Sequence, residues 1–136
     1  MDERARRALE ITPSSSAMER TVDITTIGAK TGRPRRIEIW FYRVANEIYL
    51  TTQPALRSWY ANLLKNREFT VHVKHGVRAD LPAVATPVLD PSDRRRVFEV
   101  IVDDLNQPLH RGYIAQPVEP VEEWVERSPL MHVEFL

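Results

Sequence analysis

Thr21-Val22-Asp23-Ile24-Thr25-Thr26-Ile27-Gly28-Ala29-Lys30-Thr31-Gly32-Arg33-Pro34-Arg35-Arg36-Ile37-Glu38-Ile39-Trp40-Phe41-Tyr42-Arg43 reads as strand, turn, strand. Val22, Ile24 and Thr26 alternate with Asp23 and Thr25 until Gly28 ends the run. Between Arg36 and Arg43 the period is again two, with Ile37, Ile39 and Phe41 on one face and Glu38, Trp40 and Tyr42 on the other. Alternation of this kind marks half-buried strands, and the Gly-containing connection marks a hairpin.

Outward from this hairpin the same period recurs. Ile48 and Leu50 alternate with Tyr49 and Thr51, Phe69, Val71 and Val73 with Thr70 and His72, and Met131, Val133 and Phe135 close the chain. Ala79 to Val88 is a further strand, and Pro82 within it suits an edge. Six short strands predict a mainly β, α+β fold, an antiparallel barrel or sandwich with helical insertions. Two segments switch to helical period. Leu56, Trp59, Tyr60, Leu63 and Leu64 form one stripe, stopped at Asn66. Asp90-Pro91-Ser92-Asp93 opens the other with an N-cap and a proline at the first helical position; its stripe is Val97, Phe98, Ile101, Val102 and Leu105. A weaker helix covers Val118 to Glu126, with Val121, Trp124 and Val125 inward.

Residues 1–19 read as an adaptor outside the core, a short charged helix from Asp2 to Leu9 broken by Thr12-Pro13-Ser14-Ser15-Ser16. Residues 20–136 read as one domain. At 136 residues with 43% hydrophobic and 28% charged content, the chain is long enough for a real core. The lack of cysteine excludes disulfides, thiolate metal sites and a cysteine nucleophile. No apolar run has the length of a membrane span, and the expectation is a cytoplasmic protein.

The net charge is zero, but residues 1–75 carry 13 Lys and Arg against 8 Asp and Glu, while residues 76–136 carry 6 against 11. The excess peaks at Lys30, Arg33, Arg35 and Arg36. Gly28 and Gly32 permit close backbone approach, so the loop's N–H groups are expected to form an anion-binding concavity, with Thr31 adding a hydroxyl. Arginine forks there suit a phosphate or a polycarboxylate. A solvated turn carries the same residues, so the loop alone leaves both readings open. Thr51-Thr52-Gln53-Pro54, followed by Arg57-Ser58-Trp59-Tyr60, sets polar groups at a strand end against a helix N-terminus, a second place for an anion. Arg57 lies off the apolar stripe and is free to reach a ligand. The Glu38, Trp40, Tyr42 face suits a pocket for a flat aromatic group. No nucleotide-binding glycine motif, nucleophile elbow or zinc-binding HExxH is present, and His72 and His75 point to opposite faces of one strand, so no metal site is expected.

At these residues the sequence resembles the deazaflavin-dependent nitroreductase family, the flavin/deazaflavin oxidoreductases of FMN-binding split β-barrel fold. The matching pieces are Thr25 to Arg35, Ile39-Trp40-Phe41, and Ser58 to Asn66 leading into Phe69–Val73. The resemblance implies a six-stranded split barrel that binds coenzyme F-420, whose tail carries a phosphate and a polyglutamate chain. It places Lys30, Thr31, Arg33 and Arg35 around that tail, with Arg36 beside them in the loop. It runs the Glu38-Ile39-Trp40 strand beside the deazaflavin ring and closes the phosphate end with the Thr52–Trp59 turn, which contains Gln53, Arg57 and Ser58. The family often has proline where Glu38 stands. Tyr113 and His110 match the substrate-side segment by position only and are the candidates for a catalytic role.

The expected activity is hydride transfer from reduced F-420 to a small electron acceptor: a quinone, a nitroaromatic or an activated enone. FMN, haem or biliverdin in the same fold is one alternative, and a non-enzymatic cofactor carrier is another. A net charge of zero disfavours nucleic acid as a partner. The resemblance also implies a homodimer.

Overall fold

In the computed structural model, which describes residues 1–114 and 116–136, six strands close into one antiparallel barrel in the order β1-β2-β3-β6-β5-β4. They are β1 (Thr21–Ile27), β2 (Pro34–Val44), β3 (Glu47–Thr51), β4 (Glu68–Val73), β5 (Ala79–Pro87) and β6 (Leu130–Phe135). The helices are α1 (Glu3–Ala8), α2 (Ser58–Lys65), α3 (Pro91–Leu105) and α4 (Val121–Arg127), with a 3-10 turn at Pro108–His110. No helix among the described residues is long and apolar enough to cross a membrane.

The opening hairpin pairs as its alternation demands, with Val22 opposite Ile39 and Ile24 opposite Ile37. Inward residues of every strand, among them Ile24, Phe41, Leu50, Val71, Ala83 and Met131, form one core cluster. Trp59 and Leu63 of α2 join it. A second cluster lies on the other side of the sheet, where the α3 stripe Val97, Phe98, Ile101, Val102 and Leu105 packs with Tyr42, Val44 and Tyr49. Burying each such side chain contributes about 1.5–3 kcal/mol, and α3 starts as its sequence requires, with the Asp90 carboxylate accepting from Asp93 N at 3.0 Å. Tyr42 therefore belongs to a core as well as to a pocket wall.

Three expectations are corrected. The first 19 residues do not lie outside the core, because Leu9 and Ile11 are members of the barrel cluster and Ala5 is fully buried. Strand β5 is not an edge, since it pairs with both β4 and β6. Pro82 is tolerated because its register on the β6 side falls one residue beyond Ala83↔Phe135, where it needs no N–H and its carbonyl accepts from Leu136 N at 3.0 Å. The stripe read through α2 is too long: Leu56 precedes the helix and is fully exposed, Leu64 is exposed, and Asn62 is buried instead. Strands β2 and β3 are joined by Ala45 and Asn46, both with positive φ (51° and 66°), a two-residue turn of the hairpin type that lacks the usual glycine signal.

Candidate functional site

The cationic loop is a tight turn closed by its own backbone. Gly28 N donates to Arg33 O at 2.8 Å, and Gly32, with φ of 68°, donates to Gly28 O at 2.9 Å. A Cβ on Gly28 would stand 2.5 Å from the Thr31 hydroxyl oxygen and 3.3 Å from Arg33 O, so a larger residue would have to displace the Thr31 side chain from the turn. That hydroxyl accepts from Arg33 N at 3.2 Å, and Ala29 N donates to the Asn62 side-chain oxygen at 2.8 Å. The N–H groups of Gly28, Ala29, Gly32 and Arg33 are thus satisfied inside the protein. These four are not free to form the anion-binding concavity expected of the loop.

Asn62 was not singled out in the sequence, where it falls within the Ser58–Asn66 segment. Its amide nitrogen donates to Thr26 Oγ1 at 3.0 Å while its oxygen holds Ala29. Lys65 Nζ adds a bond to Ala29 O at 2.9 Å. A polar residue at the spacing of Trp59 and Leu63 in an apolar stripe is the signal that could have found it.

Between this loop and α2 lies a cavity of about 470 Å³ lined by Lys30, Thr31, Arg35, Ser58, Trp59 and Asn62, among others. Among the described residues, Lys30, Arg35 and Arg57 have no carboxylate within ion-pair distance. Trp59 Nε1 is buried without a hydrogen-bond partner. A buried N–H left unpaired costs about 1–3 kcal/mol. This donor set fits an anionic tail.

A second cavity, about 380 Å³, has an aromatic wall of Trp40 and Tyr42 and a polar wall from Thr51, Thr52 and Gln53, with Ile39, Arg57 and Tyr113 completing it. Thr52 Oγ1 is buried without a partner here. Burial raises the Tyr42 hydroxyl well above its ordinary pKa, so it keeps its proton. A larger groove shares Lys30 and Ser58 with the first cavity and Arg57 with the second. The two cavities and the groove bring together Lys30, Thr31, Arg35, Ile39, Trp40, Thr52, Gln53, Arg57, Ser58 and Trp59.

Other candidates are placed elsewhere. Arg33 lines neither cavity and serves the turn through its backbone. Arg36 is on the outer face, paired with Asp23 at 3.0 Å. His110 does not line the aromatic cavity: it is buried, bonded through Nε2 to Asp104 at 3.1 Å, with its ring centroid 5.4 Å from that of Trp40. Tyr113 does line it and is exposed. Glu38 stands at its rim with its carboxylate on Lys74, which also holds Asp23 at 2.7 Å. Burial pushes the Asp23 carboxyl up, but Lys74 and Arg36 together outweigh it and hold the group below its usual range.

The sequence matches the family described as F-420H(2)-dependent quinone reductase over residues 4–113. No curated protein matches it. Among solved structures, it is similar to a conserved hypothetical protein of Mycobacterium tuberculosis (TM-score 0.61, 20% identity, 97% of this chain and 79% of that one). It is also similar to an F-420-H2 dependent reductase (0.54, 19%, 85% and 94%). A haem storage protein of Vibrio cholerae shares the architecture as well (0.55, 15%, 86% and 82%). At these identities the structural likeness establishes the fold, a split barrel with helices. The sequence match carries more: the chain belongs to the F-420H(2)-dependent quinone reductase family, and it is an oxidoreductase that uses coenzyme F-420.

Proposed function

We propose that the protein reduces a small, planar, uncharged acceptor of the quinone type, with cofactor tail and reaction partners divided between the two cavities. The observation that carries this reading is the convergence of Lys30, Arg35 and Trp59, whose Nε1 has no partner in the protein, on one cavity, linked by a groove and Arg57 to an aromatic one. Lys30, Arg35, Ser58 and Trp59 would hold the phosphate and the acidic tail, the lysine as a point charge and the arginine as a fork. Arg57 would bridge from tail to ring. Ile39, Trp40 and Thr52 would position the ring, and the remaining wall around Tyr113 would admit the acceptor.

Reduced F-420 supplies the hydride when bound. The chain's own contribution is to orient ring and acceptor, to exclude water with Trp40, Tyr42 and Leu105, and to donate hydrogen bonds. The Tyr42 hydroxyl acts as a donor rather than a base, because burial keeps it protonated. Tyr113, exposed at the rim, is positioned to deliver a proton to the reduced acceptor in exchange with solvent.

The direct test is fluorescence titration with oxidised F-420 against FMN, followed by turnover of reduced F-420 with menadione and with a nitroaromatic. Saturable F-420 binding that Lys30→Ala and Arg35→Ala weaken, with menadione turnover, supports the reading. Binding indifferent to both substitutions overturns the assignment of the tail.

We also propose a homodimer, supported by the exposed Leu56, Leu64 and Leu89 along the groove. Light scattering that returns a monomer mass at tens of micromolar would reject it.

A further inference from the structure

Arg20 precedes β1 and is fully buried, an unusual place for a guanidinium in a small barrel. Its Nη1 donates to Asp104 Oδ2 at 2.5 Å, and its Nη2 donates to the carbonyls of Ser15 at 2.9 Å and Thr12 at 3.2 Å. Asp104, in the last turn of α3, uses its other oxygen to accept from Gln107 Nε2 at 2.7 Å and from His110 Nε2 at 3.1 Å. Gln107 Nε2 also reaches Pro13 O at 2.8 Å. One carboxylate therefore gathers the N-terminal segment, the end of α3 and the 3-10 turn.

Both cationic and imidazole arms of this cluster meet the same side chain. The Arg20 guanidinium carbon lies 5.8 Å from the Trp40 ring centroid, and the His110 ring centroid lies 5.4 Å from it with the planes at 51°. Trp40 is only partly buried and lines the aromatic cavity. Leu105, next to Asp104, and Tyr113, three residues after His110, line it as well. An indole attracts a cation over its face, the more so away from water, and a side chain held from several directions has one rotamer available.

We propose that Arg20, Asp104 and His110 are positioning residues that fix the Trp40 indole as the rigid wall of the aromatic cavity and couple the N-terminal segment to that cavity's shape. This goes beyond family membership and rests on the reading that ring and acceptor occupy this cavity. None of the three lines the cavity itself, so their effect passes through Trp40. A buried charge pair of this kind stabilises little by itself against a hydrophobic replacement. Its effect here is to specify one placement of Trp40.

The test follows Trp40 directly by fluorine NMR of protein grown with fluorotryptophan. The chain has three tryptophans, and Trp40→Phe assigns the resonance. In Asp104→Asn the Trp40 signal should shift or broaden while Trp59 and Trp124 stay in place. In the same variant KM for menadione should rise roughly tenfold with kcat within about twofold, as expected for misplacement of a wall rather than loss of a reacting group. His110→Phe keeps a ring beside Trp40 but cannot bond Asp104. It should give a smaller shift in the same signal, and it decides the matter if Asp104→Asn does not fold. A Trp40 signal unmoved in either folded variant overturns the proposal, as do three signals that move together. The NMR arm needs no cofactor. A protein that fails to bind F-420 but shows the selective Trp40 shift would overturn the assignment of the cavity and leave the positioning role standing.

Discussion

The side-chain oxygen of Asn62 accepts the backbone N–H of Ala29 at 2.8 Å, so one residue of helix α2 fixes where the cationic loop stands. The same amide donates to the buried Thr26 hydroxyl at 3.0 Å. Asn62→Ala would leave two polar groups unpaired beside α2, at a cost of about 1–3 kcal/mol each where no water replaces the partner. The expected outcome is a lower urea midpoint together with weaker F-420 binding. Asn62→Asp should be worse for binding than for stability, because it sets a carboxylate beside Lys30.

Trp59 makes the opposite combination testable. Its Nε1 has no partner within the protein, so Trp59→Phe removes a buried orphan and leaves a somewhat smaller ring in the core. Free-protein stability should change little for the loss of the N–H. Hydrogen bonds to charged groups contribute about 1.5–3 kcal/mol, so F-420 affinity should fall by about tenfold or more. Thermal shifts with and without F-420 separate the two effects, and equal losses in both would reject the assignment.

Asp23 predicts an acid dependence. Its carboxyl is held below its ordinary pKa in the folded protein, against the push of burial, by Lys74 and Arg36. A depressed carboxylate stabilises the fold above its unfolded pKa, and that contribution is lost as pH falls through the folded value. Urea denaturation should therefore show Asp23→Asn less stable than the parent at pH 7. The gap should narrow only as pH falls below the ordinary aspartate value and through the lowered folded one. A gap that persists unchanged in acid would mean that Asp23 acts through packing alone.

Ala45 carries a φ of 51° in the β2–β3 turn, where a Cβ costs about 1–2 kcal/mol relative to glycine. Ala45→Gly should raise the thermal midpoint by several degrees, after allowance for the extra unfolded-state freedom of glycine. F-420 binding should be unaffected.

The strands and α3 were legible because their period is written in apolar side chains: Val22, Ile24, Ile39 and Phe41 face the barrel, and the α3 stripe is buried residue for residue. The loop's cations were legible for the same reason, as local composition. What was hidden depends on long-range pairing. Arg36 reaches Asp23 diagonally because the β1–β2 register sets it opposite Thr25 and sets Asp23 opposite Glu38, and the sequence holds no sign of that pairing until the register is known. His110 was a candidate at the site, but Asp104 draws it behind Trp40. The N-terminal segment looked like an appendage because Leu9 and Ile11 are isolated apolar residues; their burial is decided by the open space they fill in the barrel core.

In the turn from Gly28 to Arg33, the backbone donors of Gly28, Ala29, Gly32 and Arg33 are spent on bonds within the protein. Its folding and its recognition are therefore separable. Gly28, Thr31 and Gly32 are committed to the shape of the hairpin, whereas the side chains of Lys30 and Arg35 line the cavity beside it and take no part in those bonds. Substitutions at those two positions can change the charge and shape of that cavity without the barrel having to refold around the change. The same property makes this hairpin a place where related chains can diverge in ligand while keeping one architecture.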